Sequence, residues 1–217
     1  MKKKIGLLVL LLVVLGGGGY GVKAYVESMN HITTDDARID GALVKVSPEI
    51  AGRVTEVRIK EGDTVEAGET LARLDEKNTS LTSRDSALVK APAAGMILKE
   101  FVTVGENVAP GQRVFLLANM DELYVSARID ETKIERVVVG DTVSLHVDAF
   151  PNVELKGVVE QIGLAADSTY SLLPTSNASG NFIKVTQRIP IKIKILDNQG
   201  LRLLPGMNTT VDITTRG

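Results

Sequence analysis

Apolar positions follow three regimes along this chain. From Ile5 to Val22 they run without a charge, and these 18 residues, wound as a helix at about 1.5 Å per residue, would span roughly 27 Å, close to the hydrocarbon thickness of a bilayer. The pattern predicts a transmembrane anchor. From Gly52 to Leu117 short apolar runs are punctuated by glycine and acidic residues. From Asn119 onward apolar and polar positions alternate: Val125, Ala127 and Ile129; Val143, Leu145 and Val147; then Ile189, Ile191, Ile193 and Ile195 with Arg188, Pro190, Lys192 and Lys194 between them. Period two predicts half-buried antiparallel strands. Ile134, Val137 and Val138 behind Asp130 and Glu131 predict one short helix with an acidic first turn, plugging a small closed barrel. Thr33 to Val46 is expected to supply the barrel's opening strand.

The middle regime is a duplication. Gly52–Leu74 and Gly95–Leu117 match at a constant offset of 43. Gly52 aligns with Gly95, Val54 with Ile97, Ile59 with Val102, Gly62 with Gly105, Asp63 with Glu106, Val65 with Val108, Gly68 with Gly111, Leu71 with Val114 and Leu74 with Leu117. Glycines at these places, Gly62, Gly68, Gly105 and Gly111 above all, supply the positive φ of tight turns. A half of about 25 residues cannot bury its own core, so the copies are expected to clasp face to face into one flattened sandwich. Gly140-Asp141-Thr142-Val143 repeats Gly62-Asp63-Thr64-Val65 as shared turn chemistry.

Charge and composition narrow the function. Lys and Arg total 25 against 27 Asp and Glu, a formal charge of −2 that falls to −5 without Lys2, Lys3 and Lys4, so a nucleic-acid grip is not expected. Those three lysines precede the apolar run and hold the N-terminus on the cytoplasmic side, which exports everything after Lys23. A cleaved signal peptide is the competing reading of the same stretch, although no Ala-x-Ala site follows it. The chain has no Cys, hence no disulfide, thiolate metal site or thiol nucleophile. His31 and His146 read as solvated side chains. Without a Gly-x-Ser-x-Gly or His-Glu-x-x-His arrangement, no catalytic, cofactor or metal site is expected, and the chain reads as a non-enzyme.

The run Gly163–Asn181 is long for a loop inside a compact domain and carries Leu172, Leu173 and Pro174 among polar residues, with Phe182 just beyond, which points to a contact site.

Several separated motifs resemble one family in order: Asp35-Asp36-Ala37, Val46-Ser47-Pro48-Glu49-Ile50-Ala51-Gly52-Arg53-Val54, Ala91-Pro92-Ala93-Ala94-Gly95, Asp148-Ala149-Phe150-Pro151 and Leu204-Pro205-Gly206-Met207. They are similar to the HlyD-type membrane fusion proteins, or periplasmic adaptors. Tyr170 to Pro174, continuing through Asn177 to Pro190, resembles the EmrA-like branch. The resemblance implies a mainly β fold: a lipoyl-like (barrel-sandwich hybrid) domain and a small antiparallel β-barrel behind one N-terminal transmembrane helix. The expected division is a cytoplasmic stub at 1–4, the anchor at 5–22, a linker and first barrel strand at 23–42, the lipoyl-like domain at 43–118 with halves 43–74 and 89–118, and the barrel at 119–217.

The family further implies an adaptor subunit of a multidrug or solute efflux or secretion system in the bacterial inner membrane, single-pass, with the bulk of the chain in the periplasm or outside. Its partners would be an inner-membrane transporter, often of the major facilitator class, other copies of itself in a ring, and in many members an outer-membrane exit duct. Expected contact residues are Phe150, Pro151, Tyr170, Leu172, Leu173, Pro174, Asn177, Asn181 and Phe182. Family members reach the duct through a long helical hairpin between the lipoyl halves. Here Asp75–Lys90 is only 16 residues, about two helical turns per arm, so contact by the lipoyl tips, no duct, or an adaptor that only shapes its pump all stay open.

Two other classes remain. The repeat also resembles lipoyl or biotinyl carriers, which present a modified lysine on a tight hairpin; Lys77 and Lys90 lie near the junction but in no Asp-Lys-Ala or Met-Lys-Met setting. A passive envelope module would fit the Asn-x-Ser/Thr sequons at Asn78, Asn177 and Asn208.

Overall fold

A computed structural model of the chain describes residues 30–75, 85–166 and 186–215. The expected anchor, Lys77 and most of the 163–181 loop lie outside them. Strands dominate: β1 (His31–Thr34), β2 (Ala37–Asp40), β3 (Leu43–Val46), β4 (Gly52–Val57), β5 (Thr64–Val65), β6 (Thr70–Leu74), β7 (Leu88–Lys90), β8 (Gly95–Glu100), β9 (Asn107–Val108), β10 (Phe115–Ala118), β11 (Tyr124–Asp130), β12 (Thr142–Val147), β13 (Glu154–Ile162), β14 (Arg188–Asp197) and β15 (Thr209–Thr214). Among the described residues one 3-10 turn, Met120–Glu122, and one helix, α1 (Glu131–Ile134), interrupt them. The described residues form two compact units. One comprises 30–39, 124–166, 186–202 and 206–215, the other 40–75, 85–123 and 203–205.

The second unit is the sandwich, made of two four-stranded sheets ordered β3-β10-β8-β5 and β7-β6-β4-β9. Each sheet contains strands of both copies. Val65 pairs with Gly95 and Thr64 with Met96, while Val108 pairs with Gly52 and Asn107 with Arg53; shifting each first contact by 43 residues produces the second. The rule extends to hydrogen bonds, with Gly62 N–H donating to the Ile97 carbonyl and Gly105 N–H to the Val54 carbonyl, each at 2.8 Å. It extends to the irregularities as well, a register shift recurring between Val54 and Glu56 and between Leu116 and Leu117 on the matching ladders. The clasp is thus an exchange of two-residue strands.

The aligned apolar pairs Val54 and Ile97, Ile59 and Val102, Val65 and Val108, Leu71 and Val114, and Leu74 and Leu117 are all buried in one cluster. Burying each such side chain contributes about 1.5–3 kcal/mol, and neither copy could do so without the other. Sizes compensate: Phe115 fills the interior from the position where the first copy has Ala72. Gly62, Gly68, Gly105 and Gly111 have φ of 93°, 84°, 96° and 78°, the region a Cβ disfavours. Gly52 and Gly95 differ from the turn role read in sequence, because they open β4 and β8. A Cβ on Gly95 would lie 2.4 Å from the Ala118 carbonyl oxygen and one on Gly52 3.1 Å from Leu74 Cβ, so close strand approach is what demands glycine there.

The first unit is a single seven-stranded sheet, β1-β15-β12-β13-β14-β11-β2. Its two end strands are consecutive in the chain, separated only by Asp35 and Asp36, so one bent stretch pairs with β15 on one side and with β11 on the other and closes the barrel. Closure removes the exposed edges an open sheet would present. Ile32, Ile39, Ala127, Ile129, Val143, Leu145, Leu155, Ile191, Ile193, Val211 and Ile213 fill the interior. The alternation read in sequence therefore sorts inside from outside.

Two expectations change here. Thr33 to Val46 does not form one opening strand: β1 and β2 belong to the barrel and β3 to the sandwich. The expected helix is a single turn with no buried residue. Of the three apolar residues expected on it, only Val137, in the turns that follow, is buried, while Val138 is exposed. Across residues 131–141, which join two strands that are not sheet neighbours, the bonds after the helix are tighter turns, Arg136 N–H to the Lys133 carbonyl at 3.2 Å and Val137 N–H to the Ile134 carbonyl at 3.0 Å, and the Asp141 carboxylate then takes Val138 N–H at 2.8 Å, so the helical ladder is not continued.

Candidate functional site

Strand polarity defines two barrel ends. β13 runs from Glu154, paired with His146, past Val158, paired with Thr142, to Ile162, paired with Ile191. At one end the β12–β13 turn carries Phe150 and Pro151, held by hydrogen bonds from Phe150 N–H to the Val147 carbonyl at 2.8 Å and from Val153 N–H to the Phe150 carbonyl at 3.1 Å. Phe150 is half-buried and Pro151 exposed. At the other end lie the start of β1, the end of β15, α1 and both stems of the long loop. The expected contact residues Tyr170, Leu172, Leu173, Pro174, Asn177, Asn181 and Phe182 lie outside the described residues, but their stems do not. The structure therefore separates the Phe150–Pro151 turn from the loop's point of departure by the length of β13.

The stems are clamped. Gly163 N–H donates to the Pro190 carbonyl at 2.7 Å, and Glu131 N–H donates to the Gln187 carbonyl at 2.9 Å. A Cβ on Gly163 would sit 2.7 Å from that same carbonyl oxygen, so only glycine lets the stems meet. Arg188, the first residue of β14, reaches Asp36 at the bend of the closing strand, and its Nε lies 3.7 Å from Asp130. Asp36 also receives Arg128 Nη1 at 3.3 Å, and Lys133 Nζ lies 3.7 Å from Asp130. Three further bonds complete the bend: Arg128 N–H donates to the Asp36 carbonyl at 2.9 Å, and the Thr34 hydroxyl donates to the Arg128 carbonyl at 3.0 Å and accepts from Asp36 N–H at 3.2 Å. Beside this lattice is a cavity of about 330 Å³ lined by Thr34, Asp35, Arg128, Asp130, Lys133 and Arg188 among others. Half-exposed pairs like these contribute little each. Their effect is to fix where the loop leaves the barrel.

His146 is exposed, as its place in β12 requires, and His31 Nδ1 lies 2.9 Å from Asp212 on the barrel's outer face. Among the described residues no three His, Asp or Glu side chains are grouped to hold a metal ion, and no helix is long and apolar enough to cross a membrane.

In the sandwich, Lys90 lies within β7 and its ammonium meets Asp85 at 2.6 Å. The surface of the two copies is unequal. Glu61 Oε1 accepts from Lys99 Nζ at 2.8 Å and from Glu100 N–H at 3.1 Å, bridging copy one to copy two; the Lys99 hydrogen bond, then the backbone bond, holds the Glu61 carboxyl below its ordinary value. Arg58 likewise holds Glu56 below its ordinary value through their side-chain hydrogen bond. Where copy one has Arg58 and Glu61, copy two has Phe101 and Val104, 38% and 62% exposed, with the Arg113 guanidinium 4.1 Å from the centre of the Phe101 ring. Sequence reasoning missed this pair because it tracked the identities between the copies; subtracting one copy from the other exposes it.

Comparison with known proteins agrees with both units. Residues 42–119 match the CzcB-like barrel-sandwich hybrid domain family, and residues 122–214 match the AAEA-like beta-barrel domain family. YhbJ of Bacillus subtilis (strain 168), named as a candidate efflux system component, is 38% identical over 94% of this chain and 89% of its own length. The colistin resistance protein EmrA of Acinetobacter baumannii is 38% identical over 60% of this chain but only 38% of its own length. The solved structure of the periplasmic adaptor protein EmrA superposes with a TM-score of 0.57 at 18% identity, covering 86% of this chain and 99% of that one, a likeness of fold. The chain belongs to the EmrA-like membrane fusion proteins, the adaptor subunits of efflux systems.

Proposed function

We propose that this chain is a membrane-anchored, non-enzymatic adaptor that forms a ring over an inner-membrane transporter of the major facilitator class and helps pass drugs or other solutes outward. The observation that carries the reading is the likeness to YhbJ along both units, 94% of the chain. The mechanism is geometric. The apolar segment Ile5–Val22 tethers the barrel, tethering raises the effective concentration of its loops at the pump, and modest contacts then hold the complex.

The contact residues divide between two surfaces in this reading. The loop bearing Tyr170, Leu172, Leu173, Pro174, Asn177, Asn181 and Phe182 leaves the barrel end at which residue 30 begins the closing strand, and meets the transporter. Phe150 and Pro151, at the other end, meet a neighbouring protomer. A ring of identical subunits needs two unlike faces on each, because a heterologous contact joins one patch to a different one. The charged surface of the first sandwich copy and the apolar surface of the second are such a pair. Asp75–Lys90 leaves no room for long helices, so an outer-membrane duct, where one is present, is met by the sandwich tips.

Co-purification with the transporter tests the division. Deletion of 170–182 should abolish recovery of the pump, whereas Phe150→Asp should leave it and reduce the oligomer. Undiminished recovery with the deletion variant would refute the assignment. Loss of the gene should raise susceptibility to several drugs; an unchanged profile would favour a passive envelope module. A lipoyl or biotinyl adduct on Lys77 or Lys90 in the intact mass would favour a carrier.

A further inference from the structure

The crossing between β11 and β12 shows a feature that pump contact does not absorb. Val137 turns inward under the barrel, while the next two residues, Val138 and Val139, point away and are 54% and 59% exposed. Asp141 fixes the turn: its Oδ2 accepts from Val138 N–H at 2.8 Å, and its N–H donates to the Val138 carbonyl at 3.1 Å. Gly140, at φ 95°, closes it. The turn is thus a rigid presentation of two valines, which a soluble surface would not require. Leu164, 99% exposed, departs from the same barrel end, past the Gly163–Pro190 clamp.

Position supplies the occupant. Val143, Leu145 and Val147 run away from this turn toward the other end, and Thr142 at its base pairs with Thr214, whose strand neighbour across the sheet is His31. Thr215 N–H donates to the Asn30 carbonyl at 2.8 Å. The valine turn therefore shares its barrel end with Asn30, and only seven residues, 23–29, separate Asn30 from the apolar run that ends at Val22. Fully extended at roughly 3.5 Å per residue, that link reaches no further than about 25 Å. Charge in residues 131–141 is not basic, Lys133 and Arg136 standing against Glu131, Glu135 and Asp141, so an anionic partner is not selected and the apolar residues decide.

We propose that Val138, Val139 and Leu164 form a second, shallow membrane contact, seating this barrel end in the interfacial layer of the bilayer that holds the anchor. The inference rests on the reading of Ile5–Val22 as a retained anchor. Short of a tether, three aliphatic side chains would bind a bilayer only weakly. Held at an effective concentration on the order of millimolar, they need only bias orientation. Such a contact sets the tilt of the barrel and hence the direction in which its long loop is offered.

The absence of native cysteine makes the test direct. The full chain is reconstituted in zwitterionic vesicles without any transporter, with an environment-sensitive fluorophore on Val139→Cys, Leu164→Cys or, at the opposite barrel end, Asn152→Cys. Quenching by lipid-borne nitroxides should be about twofold or more stronger at the first two positions than at Asn152, the depth of an interfacial residue being roughly 5–10 Å. Replacing Val138 and Val139 by Ser should reduce the quenching at Leu164→Cys. Equal, solvent-like signals at all three positions would overturn the proposal, as would quenching that requires anionic lipid or appears only when a transporter is added, the last assigning the turn to the pump. Flotation after a carbonate wash separates the two readings: a chain that fails to float refutes the anchor, whereas one that floats with an aqueous Val139 label refutes only the membrane contact.

Discussion

Copy one of the sandwich repeat shows Arg58 and Glu61 to solvent at the positions where copy two shows Phe101 and Val104. Beneath those positions the copies coincide, down to the strand exchange, the bulge and the turn glycines. Buried positions are held alike because each copy's core is completed by the other's side chains, so a change in one must fit the other. Exposed positions carry no such reciprocal constraint. Copy one has used them for charged braces onto copy two, Glu61 onto Lys99 and Arg53 Nε onto the Gly105 carbonyl at 2.8 Å, and copy two for an apolar patch. A pseudo-symmetric core thereby acquires two unlike faces.

The sharpest way to break this comparison lies at its tightest approach. Gly95→Ala forces a Cβ into the Ala118 carbonyl, whereas Gly52→Ala meets only the Leu74 side chain. The first should cost roughly 3 kcal/mol and the second roughly 1, measured by urea unfolding followed by circular dichroism; equal costs would show that the strand openings are interchangeable after all. At the turns the copies should behave alike: Gly62→Ala and Gly105→Ala should each cost about 1–2 kcal/mol, and a difference larger than that would mean one hairpin tip is held by something beyond its own backbone.

Surface changes should separate stability from assembly. Replacing Phe101 and Val104 by Glu should cost about 1–2 kcal/mol of unfolding free energy, from the part-buried ring and its contact with Arg113, and should lower the oligomer mass seen by light scattering while the chain stays folded. An unchanged mass would mean that the apolar face is not a protomer contact.

The smallest effect belongs to Glu61. Lys99 and the Glu100 N–H depress its carboxyl in the folded chain, so its contribution is present above the ordinary carboxylate range and lost as pH falls through the lowered value. Glu61→Gln should therefore flatten the acid limb of the melting temperature against pH and leave the neutral plateau nearly unmoved. Val104→Glu should show no such limb, since the residue facing it by symmetry is Glu56, not a lysine.

Much of the architecture was legible in the residue order. The offset of 43, the positive-φ glycines and the period-two apolar runs each encode a local physical demand that one copy or one strand makes by itself. The candidate surface was less legible. Phe150 and Pro151 were grouped with the loop residues because both sets are apolar residues in turns, and residue type carries no information about which end of β13 a turn occupies. Val138 was read as part of a helix because helical spacing in a five-residue window is also met by consecutive turns. The single opening strand failed for a related reason: Asp35-Asp36 reads as one polar interruption, whereas it marks the bend at which the barrel closes.

By itself the amino-acid order determined which side chains must be covered, where the backbone must turn and that two half-cores must complete each other, because these follow from side-chain volume, polarity and φ preference at short range. Pairing partners were decided only in three dimensions. That β5 joins copy two, that β1 and β2 close one sheet, and that the valine turn shares an end with Asn30 depend on loop closures among residues tens to hundreds of positions apart, whose free energy is set by the whole packed arrangement and not by any segment of it.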